Sequence, residues 1–349
     1  MAVELPVMKP PRISAIAVAV TLLTLALLLP ACGEKSEETS GERQPFSLTL
    51  DFYPNPDHAG IYMAQKLGYF EEAGLEVSID APSDPSAPIK LVAAGQTDLA
   101  ISYEPEVVLA KEKGLDVVAI GALVNRPLTS MMWLKKSGIK GVGGLKGKTI
   151  ATAGIPYQEA FLKTILARAK LTPEDVKTVN VGFGLLPALI SDSAQAMLGG
   201  YSNVEGVDLR ERGKAPVVTP VDKLGVPTYD ELVLVARRAS LEEEPEEFRL
   251  FIAALERGTR AAVENPGAAT SAVLEANRDL DPKLTRAEVD ATLPLLAPPA
   301  PNASRPYGYM DPAEWTRFAG WMRDNGVVSS LLGAEALLSN DYLSGEIPE

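Results

Sequence analysis

The feature that most constrains this chain is a regular alternation of short apolar β-type runs with helical segments, begun at Phe46 and begun again after Gly141-Val142-Gly143-Gly144. In the first series Ser47–Phe52, Leu75–Ile79, Leu99–Ser102 and Asp116–Leu123 read as strands, and Ala59–Tyr69, Ile89–Ala94 and Val107–Lys113 as helices. In the second, Thr149–Ala153, Val176–Val181 and Ala196–Tyr201 read as strands, with helices at Gln158–Lys170 and Leu185–Ser191. Strands separated by helices of this length are expected to lie parallel, since a parallel pair needs a long crossover, and the helices then cover the sheet faces. Two such series predict an α/β protein of two parallel-sheet lobes. The apolar runs Ser130–Leu134 and Glu231–Ala236 close the two series and read as crossings between lobes. Beyond Arg238 the pattern is helical, at Pro245–Glu264, Gly267–Arg278, Thr285–Leu296 and Pro312–Asn325, and these helices are expected to pack back on the first lobe. Pro298-Pro299-Ala300-Pro301 reads as a stiff connector between two of them. The expected division is 46–129 for lobe one, 130–236 for lobe two with its crossings, and 237–349 for the C-terminal helices.

Residues 1–32 set the address. Lys9 and Arg12 precede an uncharged run from Ile13 to Leu29, and Pro30-Ala31-Cys32-Gly33 follows. A basic start, an apolar middle and a small-residue exit form a secretory signal. Leu29-Pro30-Ala31-Cys32 resembles a bacterial lipobox, which implies lipidation of Cys32; an uncleaved membrane anchor is the alternative. Residues 33–45 are polar and without apolar periodicity, as expected of a flexible tether. The exported remainder loses Glu4, Lys9 and Arg12, which moves the net charge from −13 to −14.

Composition then removes whole chemistries. One cysteine cannot close an internal disulfide or build a multi-thiolate metal site, and one histidine, His58, excludes histidine pairs. The acidic balance opposes binding to nucleic-acid phosphates, whose affinity comes from clustered Lys and Arg. No metal or cofactor is called for.

Ligands of parallel α/β sheets gather outside the carboxyl ends of the strands, where helix N-termini present free N–H groups. Two lobes facing each other across a hinge make a closable cleft, the physics of a solute-binding protein. The residues narrow this further. Asp51-Phe52-Tyr53-Pro54-Asn55-Pro56-Asp57-His58-Ala59-Gly60-Ile61-Tyr62, continuing through Gly68-Tyr69-Phe70 to Gly74-Leu75, resembles the opening of solute-binding proteins for thiamine pyrimidine precursors, relatives of the fungal thiamine pyrimidine synthase. Ala94-Gly95, Asp98-Leu99-Ala100, Leu145-Lys146-Gly147-Lys148, Ala153-Gly154-Ile155-Pro156-Tyr157 and the stretch from Pro245 to Pro266 also match, so that the resemblance runs from about Ser47 to past Trp321. The Gly-Tyr-Phe and Gly-Leu element is shared across the sulfonate, nitrate and pyrimidine proteins, whereas Asn-Pro-Asp-His favours the pyrimidine branch. The resemblance implies a type II periplasmic-binding-protein fold with a hinge and a central cleft, a monomer serving an ABC importer through its permease. Its other implied ligands are riboflavin or an alkylsulfonate.

The resemblance also tests an enzymatic reading. The synthase uses a pyridoxal-phosphate lysine where this chain has Ser102, a histidine where it has Glu106, and a cysteine cluster near an iron site. Ala100–Glu106 holds neither Lys nor His and Cys32 is the sole cysteine, so the synthase chemistry is expected to be absent.

A flat heteroaromatic ligand needs aromatic faces and a few convergent donors and acceptors. The loop after strand one offers Phe52, Tyr53, Asn55, Asp57 and His58, with Asn55 and Asp57 equally readable as a cap and turn and His58 as a hydrogen-bonding partner for a ring nitrogen or amino group. Ser102, Tyr103 and Glu104 end the third strand. From lobe two, Gly154 and Tyr157 open a helix, and Tyr201, Asn203 and Glu205 bring an aromatic, an amide and a carboxylate together after a strand. Tyr229 sits at the return crossing. Trp315, Phe318 and Met322 lie at helical spacing and read as core. Gly144-Leu145-Lys146-Gly147-Lys148-Thr149 lacks the first glycine of a phosphate loop and opens a strand, so it reads as a surface turn.

Overall fold

Ten strands are sorted into two sheets by the same hydrophobic runs that mark the sequence. The computed structural model describes residues 43–297 and 305–345, so the signal segment, Cys32, most of the tether and the Pro298–Pro301 connector lie outside the described residues. The first strand, β1, spans Gln44–Thr49, two residues into the expected tether. Then come β2 (Leu75–Asp80), β3 (Leu99–Ser102), β4 (Val117–Val124), β5 (Thr129–Leu134), β6 (Thr149–Thr152), β7 (Lys177–Asn180), β8 (Ala196–Tyr201), β9 (Pro216–Pro220) and β10 (Leu232–Arg237). The first sheet has the order β2-β1-β3-β10-β4 and the second β7-β6-β8-β5-β9.

The expectation of wholly parallel sheets needs a correction. β10 runs antiparallel to β3 and β4, and β5 runs antiparallel to β8 and β9. These reversed strands are the two runs read as crossings. Strand β5 follows β4 of the first sheet after the short segment Asn125–Leu128 and enters the second sheet antiparallel to β8 and β9. Strand β9 was not read at all, because Pro216 and Pro220 bracket it. Proline is tolerated there because β9 is an edge strand.

Strand β4 is an edge strand too, yet it is buried along its whole length. Chain from the C-terminal part covers it, with Ala122 N–H donating to Gly308 O and Ser339 N–H to Ala119 O, both at 2.8 Å. An apolar edge that would otherwise invite another chain is thereby closed.

Helix Ala59–Lys66, entered directly from the loop after β1, is set by a close crossing with helix Pro245–Glu264. A Cβ on Gly258 would fall on Gly60 O and the backbone of Ala64, so only a hydrogen at that position lets the two backbones approach. Phe46 and Phe70 stack on Phe251 at ring-centroid distances of 5.1 and 4.9 Å, and Phe248 meets Phe46 edge-on at 5.4 Å. Each such pair contributes roughly 0.5–1.5 kcal/mol beyond its buried area. Trp315, Phe318 and Met322 are core residues of helix Pro312–Asp324, as their spacing predicts. No helix among the described residues is long and apolar enough to cross a membrane.

Candidate functional site

The loop that leaves β1 is built from its own polar side chains. Asn55 is extended, and its Oδ1 accepts from Asp57 N–H at 2.8 Å, capping the 3-10 turn Pro56–His58. His58 Nδ1 accepts in return from Asn55 N–H at 3.3 Å. An accepting Nδ1 places the ring proton on Nε2, which donates to Asp51 Oδ1 at 2.8 Å. The other oxygen of Asp51 accepts from Tyr103 Oη at 3.0 Å. One buried chain of hydrogen bonds therefore joins the turn, the loop and the tip of β3.

This loop faces the second sheet across a narrow cleft. Asp51, Phe52, Tyr53, Asn55 and Asp57 line it from the loop after β1, with Tyr103 beside them. Opposite stand Ala153, Ile155, Tyr157 and Gln158 from the segment after β6. The end of β8 adds Gly199, Tyr201, Val204 and Glu205, and Leu185 and Thr129 complete the wall. The contributing tips of β1, β3, β6 and β8 are all carboxyl ends, where ligands of such sheets collect. Gly199 has φ +115°, and a Cβ there would strike the Gln158 amide, so the wall needs a glycine at this point.

The wall is aromatic and acidic. Tyr103 and Tyr157 meet at a ring-centroid distance of 5.8 Å with planes 66° apart. Asp51, Asp57 and Glu205 line the cleft and, among the described residues, neither Lys nor Arg does. Burial pushes Glu205 up to about 7, against the backbone N–H of Tyr201 that it accepts at 2.7 Å. Burial also raises Asp57 well above the carboxylate range, opposed by its bond from Asn203. Glu288 rises to about 8 through burial and then through the neighbouring carboxylates of Asp208, Glu205 and Asp57. Asn203 Nδ2 donates to Asp57 Oδ1 at 2.7 Å and to Thr292 Oγ1 at 2.8 Å, while Asp57 Oδ2 is buried without a hydrogen-bond partner among the described residues. An unpartnered carboxyl oxygen on a residue that lines the cleft leaves hydrogen-bonding capacity unspent there. Among the described residues no group of three or more His, Cys, Asp or Glu side chains is placed to hold a metal ion.

Of the residues picked out in the sequence, Phe52, Tyr53, Asn55, Asp57, Tyr103, Tyr157, Tyr201 and Glu205 are brought together on the cleft wall. Six are not on it. His58 is fully buried and spent on Asn55 and Asp51. Ser102 is buried in β3, where it pairs with Val233. Glu104 Oε2 accepts from Asp230 N–H at 2.7 Å, which turns it away from the wall. Gly154 supplies a turn at φ +78° against the Asn180 side chain. Asn203 stands behind Asp57, and Tyr229 Oη donates to buried Glu231. The sequence reading misses Asp51, Thr129 and Gln158, although Gln158 opens a helix at a strand tip, the position that singles out Tyr157. Its Oε1 accepts from Ala153 N–H at 3.0 Å.

Known proteins resemble this chain in sequence and in fold. The formylaminopyrimidine-binding protein of Halalkalibacterium halodurans is 34% identical over 304 residues, covering 87% of this chain and 92% of that protein. The 4-amino-5-hydroxymethyl-2-methylpyrimidine phosphate synthase of Legionella pneumophila is 28% identical over 262 residues, 74% of this chain and 82% of that one. Among solved structures, the alkanesulfonate-binding protein SsuA from Xanthomonas axonopodis pv. citri, bound to MOPS, superposes with a TM-score of 0.66 at 15% identity, covering 86% of this chain and 100% of that one. The fold is the periplasmic-binding-protein fold of type II, as the sequence resemblance implied. A family model described as NMT1/THI5 like matches residues 55–269, from the cap of the cleft loop into the C-terminal helices, and this chain belongs to that family.

Proposed function

We propose that the chain is the exported, lipid-anchored solute-binding protein of an ABC importer, and that its cleft takes a thiamine pyrimidine precursor of the formylaminopyrimidine or hydroxymethylpyrimidine type. The segments that carry the first sheet, β1 to β4 with β10 and the C-terminal helices, and the segment from β5 to β9 act as the two lobes that close over it. The observation that carries this reading is the wall itself, which joins Tyr and Phe faces to three carboxyl groups and, among the described residues, holds no Lys or Arg. Aromatic faces suit a flat ring, and carboxyl groups suit its amino and ring-nitrogen edge. Tyr103 and Tyr157, in contact with each other, form one aromatic side of the ring's site, and Asp57 and Glu205 meet its polar edge. The name of the 34% identical relative points to the same ligand class.

The same wall opposes an alkylsulfonate and a phosphorylated pyrimidine, since an anion would enter a low-dielectric cleft beside Asp51, Asp57 and Glu205 without a counter-charge. Catalysis of the synthase type is not proposed. The wall offers no lysine for an imine and no cysteine, and the one histidine is held behind it, so these residues do not fit a lysine-anchored pyridoxal phosphate.

Calorimetric titration of the purified protein with formylaminopyrimidine, hydroxymethylpyrimidine, hydroxymethylpyrimidine phosphate, riboflavin and an alkylsulfonate tests the assignment. Binding of an unphosphorylated pyrimidine at least a hundredfold tighter than the phosphate and the sulfonate is expected. Preference for either anion, or consumption of the ligand on incubation, refutes it. Labelling with radioactive palmitate in the native host, lost in Cys32→Ser, tests the anchor.

A further inference from the structure

Phe183 lies in no predicted element and is absent from the cleft wall, yet its surroundings are unusual for a half-buried aromatic. It occupies the tip of a tight turn between β7 and helix Leu185–Ile190. Gly184 N–H donates to Val181 O at 2.8 Å across the turn, and Gly182 N–H donates to Asn180 Oδ1 at 2.9 Å. Gly182 takes φ +53°, a region that L side chains rarely adopt, so the turn is shaped by glycine. The backbone is thus tied at both ends while the ring stands out from the tip.

That ring does not pack on its own sheet's core. It meets Phe52 edge-on, with centroids 4.5 Å apart and planes at 90°, and Tyr53 at 6.0 Å and 70°. Phe52 and Tyr53 are themselves 4.5 Å apart. Both belong to the loop after β1 of the first sheet, whereas Phe183 follows β7 of the second. Tyr53 also faces the open groove lined by Pro54, Tyr62 and Asn277 on its outer side, which puts the trio where the cleft gives way to solvent. The loop cannot drift freely from this position, because Asn277 Nδ2 donates to Pro54 O at 3.2 Å.

We propose that Phe183 is a latch for the cleft, which rests on the solute-binding reading above. It reaches across the mouth from the second-sheet turn, grips Phe52 and Tyr53 edge-on, and so sets how slowly an enclosed ligand leaves. It is a positioning residue that acts through two wall residues without lining the wall itself. Its contacts hold the two loops together across the mouth, so an enclosed ligand leaves only when they part. Two edge-to-face pairs, each of the ordinary strength of an aromatic contact, correspond to a change in off-rate of about tenfold or more.

The test compares wild-type protein with Phe183→Ala and Phe183→Tyr, by stopped-flow kinetics with formylaminopyrimidine and by small-angle scattering of the ligand-free proteins. The expected result for Phe183→Ala is an off-rate raised about tenfold or more, together with a larger radius of gyration of the ligand-free protein. Phe183→Tyr, which keeps the edge, is expected to restore the wild-type off-rate. An unchanged off-rate, or a loss of affinity carried by the on-rate alone, overturns the latch. If wild-type protein binds no formylaminopyrimidine, the ligand assignment fails instead. The latch is then decided by scattering alone, where equal radii for wild type and Phe183→Ala overturn it.

Discussion

Glu231 is the residue whose removal tests most directly how the two sheets are joined. It is completely buried and stands one residue before β10, where the chain returns to the first sheet. Its carboxylate accepts four hydrogen bonds, three from the outgoing crossing and one from the return crossing. Leu128 N–H and Thr129 N–H reach Oε2 at 2.7 and 2.8 Å, Thr129 Oγ1 reaches Oε1 at 2.8 Å, and Tyr229 Oη reaches Oε2 at 2.9 Å. One side chain thus clasps both connections. In Glu231→Ala the two backbone N–H groups lose their acceptor in a dry interior, at about 1–3 kcal/mol each. Against this stands the relief of a carboxylate that burial pushes above its usual range. The net loss is expected to be about 3 kcal/mol, a large part of the roughly 5–15 kcal/mol that holds a domain together. Glu231→Gln keeps an oxygen for the N–H groups and loses only charge assistance, so its cost is expected to be about 1 kcal/mol. Guanidinium unfolding of the ligand-free proteins, at unchanged slope, reads both values. A Glu231→Ala protein within about 1 kcal/mol of wild type, or a glutamine variant as damaged as the alanine one, would show that the clasp does not hold the crossings.

Three further outcomes follow from the packing and the acid cluster. Glu205 and Glu288, raised from 4.5 to about 7 and about 8, bind protons in the folded state that the unfolded chain releases, so their contribution to stability is full below about pH 4.5 and is lost as pH rises through 7 to 8. Chemical denaturation from pH 5 to 8 should show this fall, at up to about 1.4 kcal/mol per pH unit for each group, and Glu288→Gln should flatten it; superimposable profiles would contradict the assignment. Gly258→Ala drives a methyl group into Gly60 O and Ala64, and should lower stability by about 1–3 kcal/mol in the same denaturation assay. Gly199→Ala strains a φ of +115° and displaces the Gln158 amide from the wall, so calorimetry should show affinity for the pyrimidine reduced about tenfold or more.

What could be read from the sequence divides along a physical line. The strands and helices were legible because parallel α/β packing demands apolar runs at fixed intervals, and β3 and helix Pro245–Glu264 begin and end where the pattern says. Strand direction was not legible, since the apolar runs of β5 and β10 look the same whichever way they pair. The site was legible as a set of loops, because ligand clefts form at strand tips, but not as a set of facing side chains. Ser102 and Tyr103 are neighbours, and only Tyr103 reaches the wall, while Ser102 stays in the strand pairing with β10. Asp57 and His58 share one turn, yet His58 is spent on Asn55 and Asp51 and only Asp57 faces the cleft. Phe183, set between two glycines, has no periodic neighbours to announce it.

These failures have one cause. A chain leaving a sheet at a strand tip must satisfy its own exposed N–H groups before it can offer any polar group to a ligand. Asn55 bonds Asp57 N–H, Gln158 bonds Ala153 N–H, Glu205 bonds Tyr201 N–H and Glu104 bonds Asp230 N–H. At each tip a polar side chain is consumed by the turn it belongs to. What a ligand can use is the oxygen left over once that demand is met, and at Asp57 one such oxygen remains, held in place by Asn203 on its other side. Recognition in this cleft is therefore a residue of loop construction, and a polar side chain at a strand tip points to a ligand only after its backbone debts have been counted.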